Sequence, residues 1–186
     1  DAFSLDVYHK YFESIDASKR FFLQSDMDEF DKHKTKLDDY LNNGNLIFYK
    51  TTVDRLYQRI DEADKITQDI LSKPIDLNED DFLILEPKKK TNATNQQEFS
   101  NEWKRFIKYN ILQELETLNS KEEAQQKKKD SVVANKLTDT IKVEKLTMDQ
   151  KRIKATSEVK DLVTDMFRCF KKRKKIWFII ACIGFA

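Results

Sequence analysis

Two glycines, Gly44 and Gly184, and two prolines, Pro74 and Pro87, are all the strong backbone punctuation that this 186-residue chain possesses. Sandwiches and barrels need frequent tight turns, and those turns are built largely from the residues that are scarce here. Long helices need few. With charged residues at 36% and hydrophobic residues at 39%, the composition suits helices that bury one stripe and solvate the rest. The expected fold is all-α, an elongated multi-helix domain. The formal net charge of +1 gives the chain as a whole no electrostatic bias toward nucleic acid or an anionic membrane.

The apolar spacing places the helices. Phe3, Val7, Tyr8, Tyr11, Phe12 and Ile15 recur at helical steps, with Ser4 as the expected N-cap. Asp16, Ala17 and Ser18 interrupt them. Ser25 with Asp28 three residues on has the form of an acidic capping box, and Met27, Phe30, Leu37, Tyr40 and Leu41 then predict one continuous helix ending at Asn42–Asn45. From Leu46 through Tyr49, Val53, Leu56, Ile60, Ala63, Thr67 and Ile70 the steps of three and four predict a third helix, stopped by Pro74. A short turn joins it to the helix before, which predicts a long antiparallel hairpin between the two.

Residues 75–86 alternate loosely and predict a short strand or extended crossover, and 87–97 a polar surface loop. Phe99, Trp103, Phe106, Ile107, Ile111, Leu115 and Leu118 form a broad stripe that should anchor the core. Apolar residues thin out over 120–145, around Lys127, Lys128 and Lys129, which predicts a mobile or weakly helical basic insert. Thr147 and Gln150 make a capping box for a last helix whose face is Ile153, Thr156, Val159, Val163, Met166 and Phe170.

The chemistry-bearing residues do not assemble into a motif. His9 and His33 are the only histidines; each has one acidic residue a helical turn away, Glu13 and Glu29, and no third ligand, so each reads as a surface histidine in a weak ion pair. No glycine-rich phosphate loop and no serine elbow occurs. Asp38 with Asp39, Glu79 to Asp81, and Glu122 with Glu123 read as solvated faces. Asn92, Ala93 and Thr94 fit a glycosylation sequon in an exposed loop, a pattern too short to carry weight. Cys169 and Cys182 match neither a zinc nor a redox spacing. We therefore expect no catalytic, cofactor-binding or metal-binding residue in this chain. Lys171 to Lys175 precede an apolar tail, Ile176 to Ala186, that is too short to cross a bilayer as a helix of about 20 residues. The cluster reads as a solvated helix end facing the C-terminal dipole, or as domain sequence cut before its partner. A flank of a truncated membrane segment is the third reading.

One stretch resembles a known family. Tyr11, Phe12, and then Ile15 through Phe30, Ile-Asp-Ala-Ser-Lys-Arg-Phe-Phe-Leu-Gln-Ser-Asp-Met-Asp-Glu-Phe, are similar to the N-terminal domain of tail-specific, or carboxy-terminal processing, serine proteases, especially Bacteroidetes-like members. That family shows an aromatic helix, Leu-Asp-Pro, a basic residue, an aromatic pair, a leucine and an acidic helix start. Lys73, Pro74, Ile75, Asp76 and Leu77 resemble its Pro-Phe-Asp-Phe turn, and Trp103 with Ile107 and Lys108 its tryptophan helix. Phe167, Phe170, Arg173 and Trp177-Phe178 resemble the helix leading to its Asp-Trp-Phe segment. The matches occur in the family's order. Ser18 replaces the usual proline, Ile176 stands where an aspartate is expected, and Ile179 to Ala186 depart from the family's continuation toward a PDZ domain.

The resemblance implies that residues 1–178 form the N-terminal helical domain, with 120–145 as its basic insert and 179–186 as an atypical tail. The entry at Asp1 in mid-pattern leads us to expect an upstream segment. The resemblance further implies a non-catalytic scaffold and interaction domain of a periplasmic serine endopeptidase that acts on proteins from their C-termini. The serine and lysine dyad and the PDZ domain would lie elsewhere in the parent chain. Implied partners are those downstream domains, an adaptor lipoprotein and protein or peptide substrates; no nucleic acid and no cofactor is implied. The rival readings are a stand-alone membrane-tethered protein and a coiled-coil interaction protein built on the Leu46–Ile70 seam.

Overall fold

A computed structural model describes residues 2–134 and 146–183, with side chains over 2–128 and 146–172. Six helices follow in order: α1 (Ala2–Ile15), α2 (Gln24–Phe30), α3 (Leu37–Asn42), α4 (Ile47–Leu71), α5 (Gln96–Ala134) and α6 (Met148–Ile183), with short 3-10 turns at Asp31–His33 and Pro87–Lys89. Among the described residues there is no β-strand, and one isolated parallel bridge joins Leu23 to Ala93. The chain is all-α.

The larger layer is a three-helix bundle of α4, α5 and α6. Lys151, at the start of α6, donates to Asn119 far along α5 (2.9 Å), whereas Phe167 meets Trp103 near the start of α5, so these two helices run antiparallel. Helix α6 is antiparallel to α4 as well, because Lys171 pairs with Asp64 while Thr164 lines one groove with Gln68. Helices α4 and α5 are consequently parallel. Parallel neighbours need a chain that travels back the length of the helix, and residues 72–95 supply it. Trp103, Ile107 and Ile111 are wholly buried between Tyr57, Ile60 and Ala63 of α4 and Ala155, Val159, Val163 and Phe167 of α6. The expected α5 stripe is the anchor of this core.

The smaller layer packs α1, α2 and α3 on the first half of α4. Its core is aromatic: Tyr8, Phe22, Phe30 and Phe48 surround Phe12, which stacks on Phe30 (5.6 Å between centroids) and meets Phe22 edge-on (5.6 Å). Polar atoms inside this layer are satisfied locally. The Tyr11 hydroxyl lies 2.7 Å from Thr52 Oγ1, and burial pushes its phenol up to about 12.

Several expectations change. The continuous second helix is broken: α2 ends at Phe30, the 3-10 turn intervenes, and α3 folds back onto α1, where Ser4 Oγ donates to Asp38 (2.6 Å) and accepts from the Asp38 N–H (3.0 Å). Ser4 is thus a buried helix-interior residue rather than an N-cap. The long antiparallel hairpin is formed by α5 and α6, and the seam from Val53 to Ile70 is spent within the chain against them. Residues 75–86 are an irregular crossover with no strand. The loop 87–97 is not all surface, since Lys90 and Ala93 are buried.

Of the expected basic insert, residues 120–134 continue α5, and 135–145 lie outside the described residues. On α6 the Thr147–Gln150 capping box forms as expected (2.8 and 3.2 Å), but Ile153 is 71% exposed, because the buried register is Lys151, Ala155, Val159, Val163 and Phe167. Lys171 to Lys175 do not end a helix, since α6 continues to Ile183. The side chains of the tail lie outside the described residues. Among those described, no helix is long and apolar enough to cross a membrane.

Candidate functional site

The stretch that carries the family likeness, residues 15–30, forms the joint between the two layers. Helix α1 stops at Ile15, and the carboxylate of Asp16 then accepts the backbone N–H groups of Arg20 (2.9 Å), Phe21 (3.0 Å) and Phe22 (3.0 Å). Lys19 closes the turn in the left-handed region (φ 46) and donates through Nζ to the carbonyl of Lys90 (2.7 Å). The turn splits the aromatic pair: Phe21 points into the bundle against Trp103 and Phe170, and Phe22 into the smaller core against Phe12 and Phe30. Adjacent residues in extended backbone face opposite ways, so this pair pins each layer to the other.

Charge is buried at the joint. Arg20 lies over the Phe106 ring (3.8 Å to its centroid), and burial pulls its guanidinium down although Asp16 and Glu102 favour its charge. Burial likewise raises the Asp16 carboxyl, and the three N–H donors only partly offset it. Lys90 Nζ lies 2.9 Å from Glu102 Oε2, and Glu102 also accepts from Arg105 (2.8 Å), so this loop lysine is fastened to α5.

The second node is Asp26, wholly buried in α2. Its carboxylate accepts the Leu23 N–H (2.9 Å), both Nε and Nη2 of Arg59 (2.8 and 2.9 Å), and Arg55 Nη1. Arg55 continues to Glu29 (2.8 Å) and Arg59 to Glu62 (2.7 Å). Burial alone would raise the Asp26 carboxyl, but Arg59, the Leu23 N–H and Arg55 hold it below the ordinary carboxylate range. Helix α2 starts with Asp26 at its third position, so its capping box lies two residues closer to Phe22 than the expected Ser25 and Asp28 box.

Among the described residues, none of those singled out in the sequence comes together as a reactive set. His9 is exposed beside Tyr8, and His33 Nδ1 meets the Tyr40 hydroxyl (2.9 Å) rather than Glu29. Glu79 and Asp81 pair with Lys104 and Arg105 (2.8 Å each), and Glu122 pairs with Lys151. Asn92 is no free sequon: its amide donates to the Phe22 carbonyl (3.0 Å) next to buried Ala93. Among the described residues no group of three His, Cys, Asp or Glu side chains could hold a metal ion. A cleft of about 270 Å³ opens between α1 and the joint, lined by Tyr8, His9, Glu13, Lys19, Met27 and Asn92 among others. No nucleophile in it sits beside a base. Arg55, Arg59, Lys90 and Glu102 were not singled out from the sequence; their arginines and acids sit at ordinary helical charge spacing, indistinguishable there from a solvated face.

The described residues thus form an all-α unit whose two layers are joined through buried ionic contacts. The chain belongs to the family described as the tail-specific protease N-terminal domain, whose profile matches residues 1–170. It is also similar to a protein named tail-specific protease from Haemophilus influenzae, at 31% identity over 117 residues, which make up 60% of this chain and 16% of that relative. The chain thus matches about a sixth of the relative's length.

Proposed function

We propose that this chain is a non-catalytic helical scaffold and interaction domain of a tail-specific serine endopeptidase, working in the periplasm beside PDZ and protease domains supplied by the parent protein. The observation that carries the reading is the joint. Asp16, Asp26, Arg55, Arg59, Lys90 and Glu102 spend their charges on neighbouring ionic or backbone groups and Arg20 lies on the Phe106 ring, and such a network specifies one arrangement of two layers rather than turning over a substrate. A rigid two-layer body suits a wall or docking surface around a catalytic platform. The serine and lysine that would cut the peptide, the adaptor lipoprotein and the captured protein tail belong to the parent's other parts.

The test has two arms. The purified 186-residue chain should not cleave peptides with apolar C-termini; cleavage that survives every column and vanishes on mutating one of its own residues overturns the proposal. In the parent protein, removing residues 1–170 should abolish cleavage of protein substrates while its serine still reacts with a small acylating probe. Full protein cleavage without these residues also overturns it.

A further inference from the structure

The crossover between α4 and α5 holds an apolar run out into solvent. Phe82, Leu83, Ile84 and Leu85 follow Glu79, Asp80 and Asp81 and precede Glu86, Pro87, Lys88 and Lys89; Phe82 is 68%, Ile84 39% and Leu85 62% exposed. Both ends are fastened. On the acidic side Glu79 pairs with Lys104 (2.8 Å), its carbonyl accepts from Lys108, and Asp81 pairs with Arg105 (2.8 Å), whose guanidinium lies 5.3 Å from the Phe82 ring. On the basic side the 3-10 turn at Pro87–Lys89 leads to Lys90, which pairs with Glu102 (2.9 Å). Between these fixings the backbone N–H groups of Leu83 and Leu85 find no acceptor among the described residues. Four apolar residues, of which Phe82 and Ile84 are β-prone, with unpaired N–H groups at Leu83 and Leu85, form a template for another strand.

We propose that this run is a homodimerisation strand, pairing antiparallel with the same run of a second copy about a two-fold axis through Ile84. The charges around it select that partner and that direction. Centred on Ile84, Leu83 lies opposite the copy's Leu85, so the four free N–H groups of the two copies meet carbonyls, and beyond the ladder the acidic end of one copy, with Asp80, meets the basic 3-10 turn of the other, with Lys88. Neither Asp80 nor Lys88 has an ion-pair partner within the described chain, whereas a parallel pairing would set Asp80 against Asp80 and Lys88 against Lys88. The antiparallel arrangement is closed, so it stops at two copies. Phe82 and Ile84 then share one face of the two-stranded ribbon, and Pro87, without an N–H, ends it.

The experiment uses the 186-residue chain with Cys169→Ser and Cys182→Ser, followed by sedimentation equilibrium over a concentration series. A monomer–dimer equilibrium is expected. Ile84→Lys should shift it to monomer with an unchanged helical circular-dichroism spectrum. Lys88→Glu should weaken it several-fold, and Lys88→Glu with Asp80→Lys should restore it. Ile84→Cys should form an intermolecular disulfide under mild oxidation, and Phe82→Cys, which faces the copy's Glu86, should not. A monomer at every concentration overturns the proposal and leaves the run to be covered by the remainder of a longer parent. A dimer indifferent to Ile84→Lys also overturns it, placing self-association elsewhere on the chain. Neither result touches the scaffold reading, which is tested by cleavage.

Discussion

Asp26 and Arg59, 33 residues apart in the chain, meet side-on in the interior, the carboxylate receiving Nε and Nη2 at 2.8 and 2.9 Å. Breaking such a pair from one side strands a buried charge, at a typical cost of about 3–5 kcal/mol. Asp26→Leu should fall in that range, because it also removes the acceptor of the Leu23 N–H. Arg59→Met should cost less, since Arg55 still neutralises Asp26. The double variant should cost less than the sum of the two, and a double-mutant cycle by urea unfolding reads the coupling directly.

The two buried carboxylates of the joint should titrate with opposite effects on stability. The Asp26 carboxyl is depressed in the folded chain, so its contribution is complete above the unfolded value of about 3.9 and is lost as pH falls through the lower folded value. Asp16 is raised, chiefly by burial, so the folded state binds its proton first, and its acid form gains stability as pH falls from the raised folded value toward the unfolded one. The stability gap between native chain and Asp26→Asn should therefore shrink on acidification below about pH 4. That between native chain and Asp16→Asn should widen as that point is approached from above. Urea midpoints measured across pH 7 to pH 3 decide both.

Trp103 is wholly buried, and its indole Nε1 has no hydrogen-bond partner in the described core. Truncation to alanine should cost about 3–5 kcal/mol, as for other large buried aromatics. Phenylalanine loses part of the packing against Phe21 and Phe167 but removes the stranded donor, whose burial alone costs about 1–3 kcal/mol. Trp103→Phe should therefore sit much nearer the native chain than the lost volume suggests. Thermal unfolding of the two variants side by side checks the order.

Periodicity made the bundle legible where burial is apolar and regular, as along Phe99 to Leu118, and it failed where it is not. On α6 the buried register passes through Lys151 and Ala155, neither of which reads as core, so the exposed Ile153 reads as part of it. The broken second helix was hidden for another reason: Phe30 and Leu37 are seven apart, the spacing that one continuous helix would also give, although they reach the same core from two separate helices. The joint was the least visible. A buried arginine and a solvated one look alike in sequence, and what buries Arg59 is an aspartate on another helix. The family likeness pointed at the right residues, 15–30, without saying that two of their acids face inward.

The turn between α3 and α4 tests a feature that was legible. Gly44 has φ +63, the Asn45 N–H reaches the Tyr40 carbonyl (2.8 Å), and the Gly44 N–H reaches that of Leu41 (3.3 Å), the two bonds of a Schellman cap. A Cβ added at Gly44 would meet nothing within 4 Å, so steric crowding does not enter and backbone strain alone sets the cost. Gly44→Ala should destabilise by about 1–2 kcal/mol, the usual cost of a left-handed conformation with a side chain. Gly44→Asn should lose less, because asparagine tolerates that region. Equal losses for the two, read from urea midpoints, would mean that the turn leaves the left-handed geometry and that packing of α3 on α1 holds the corner.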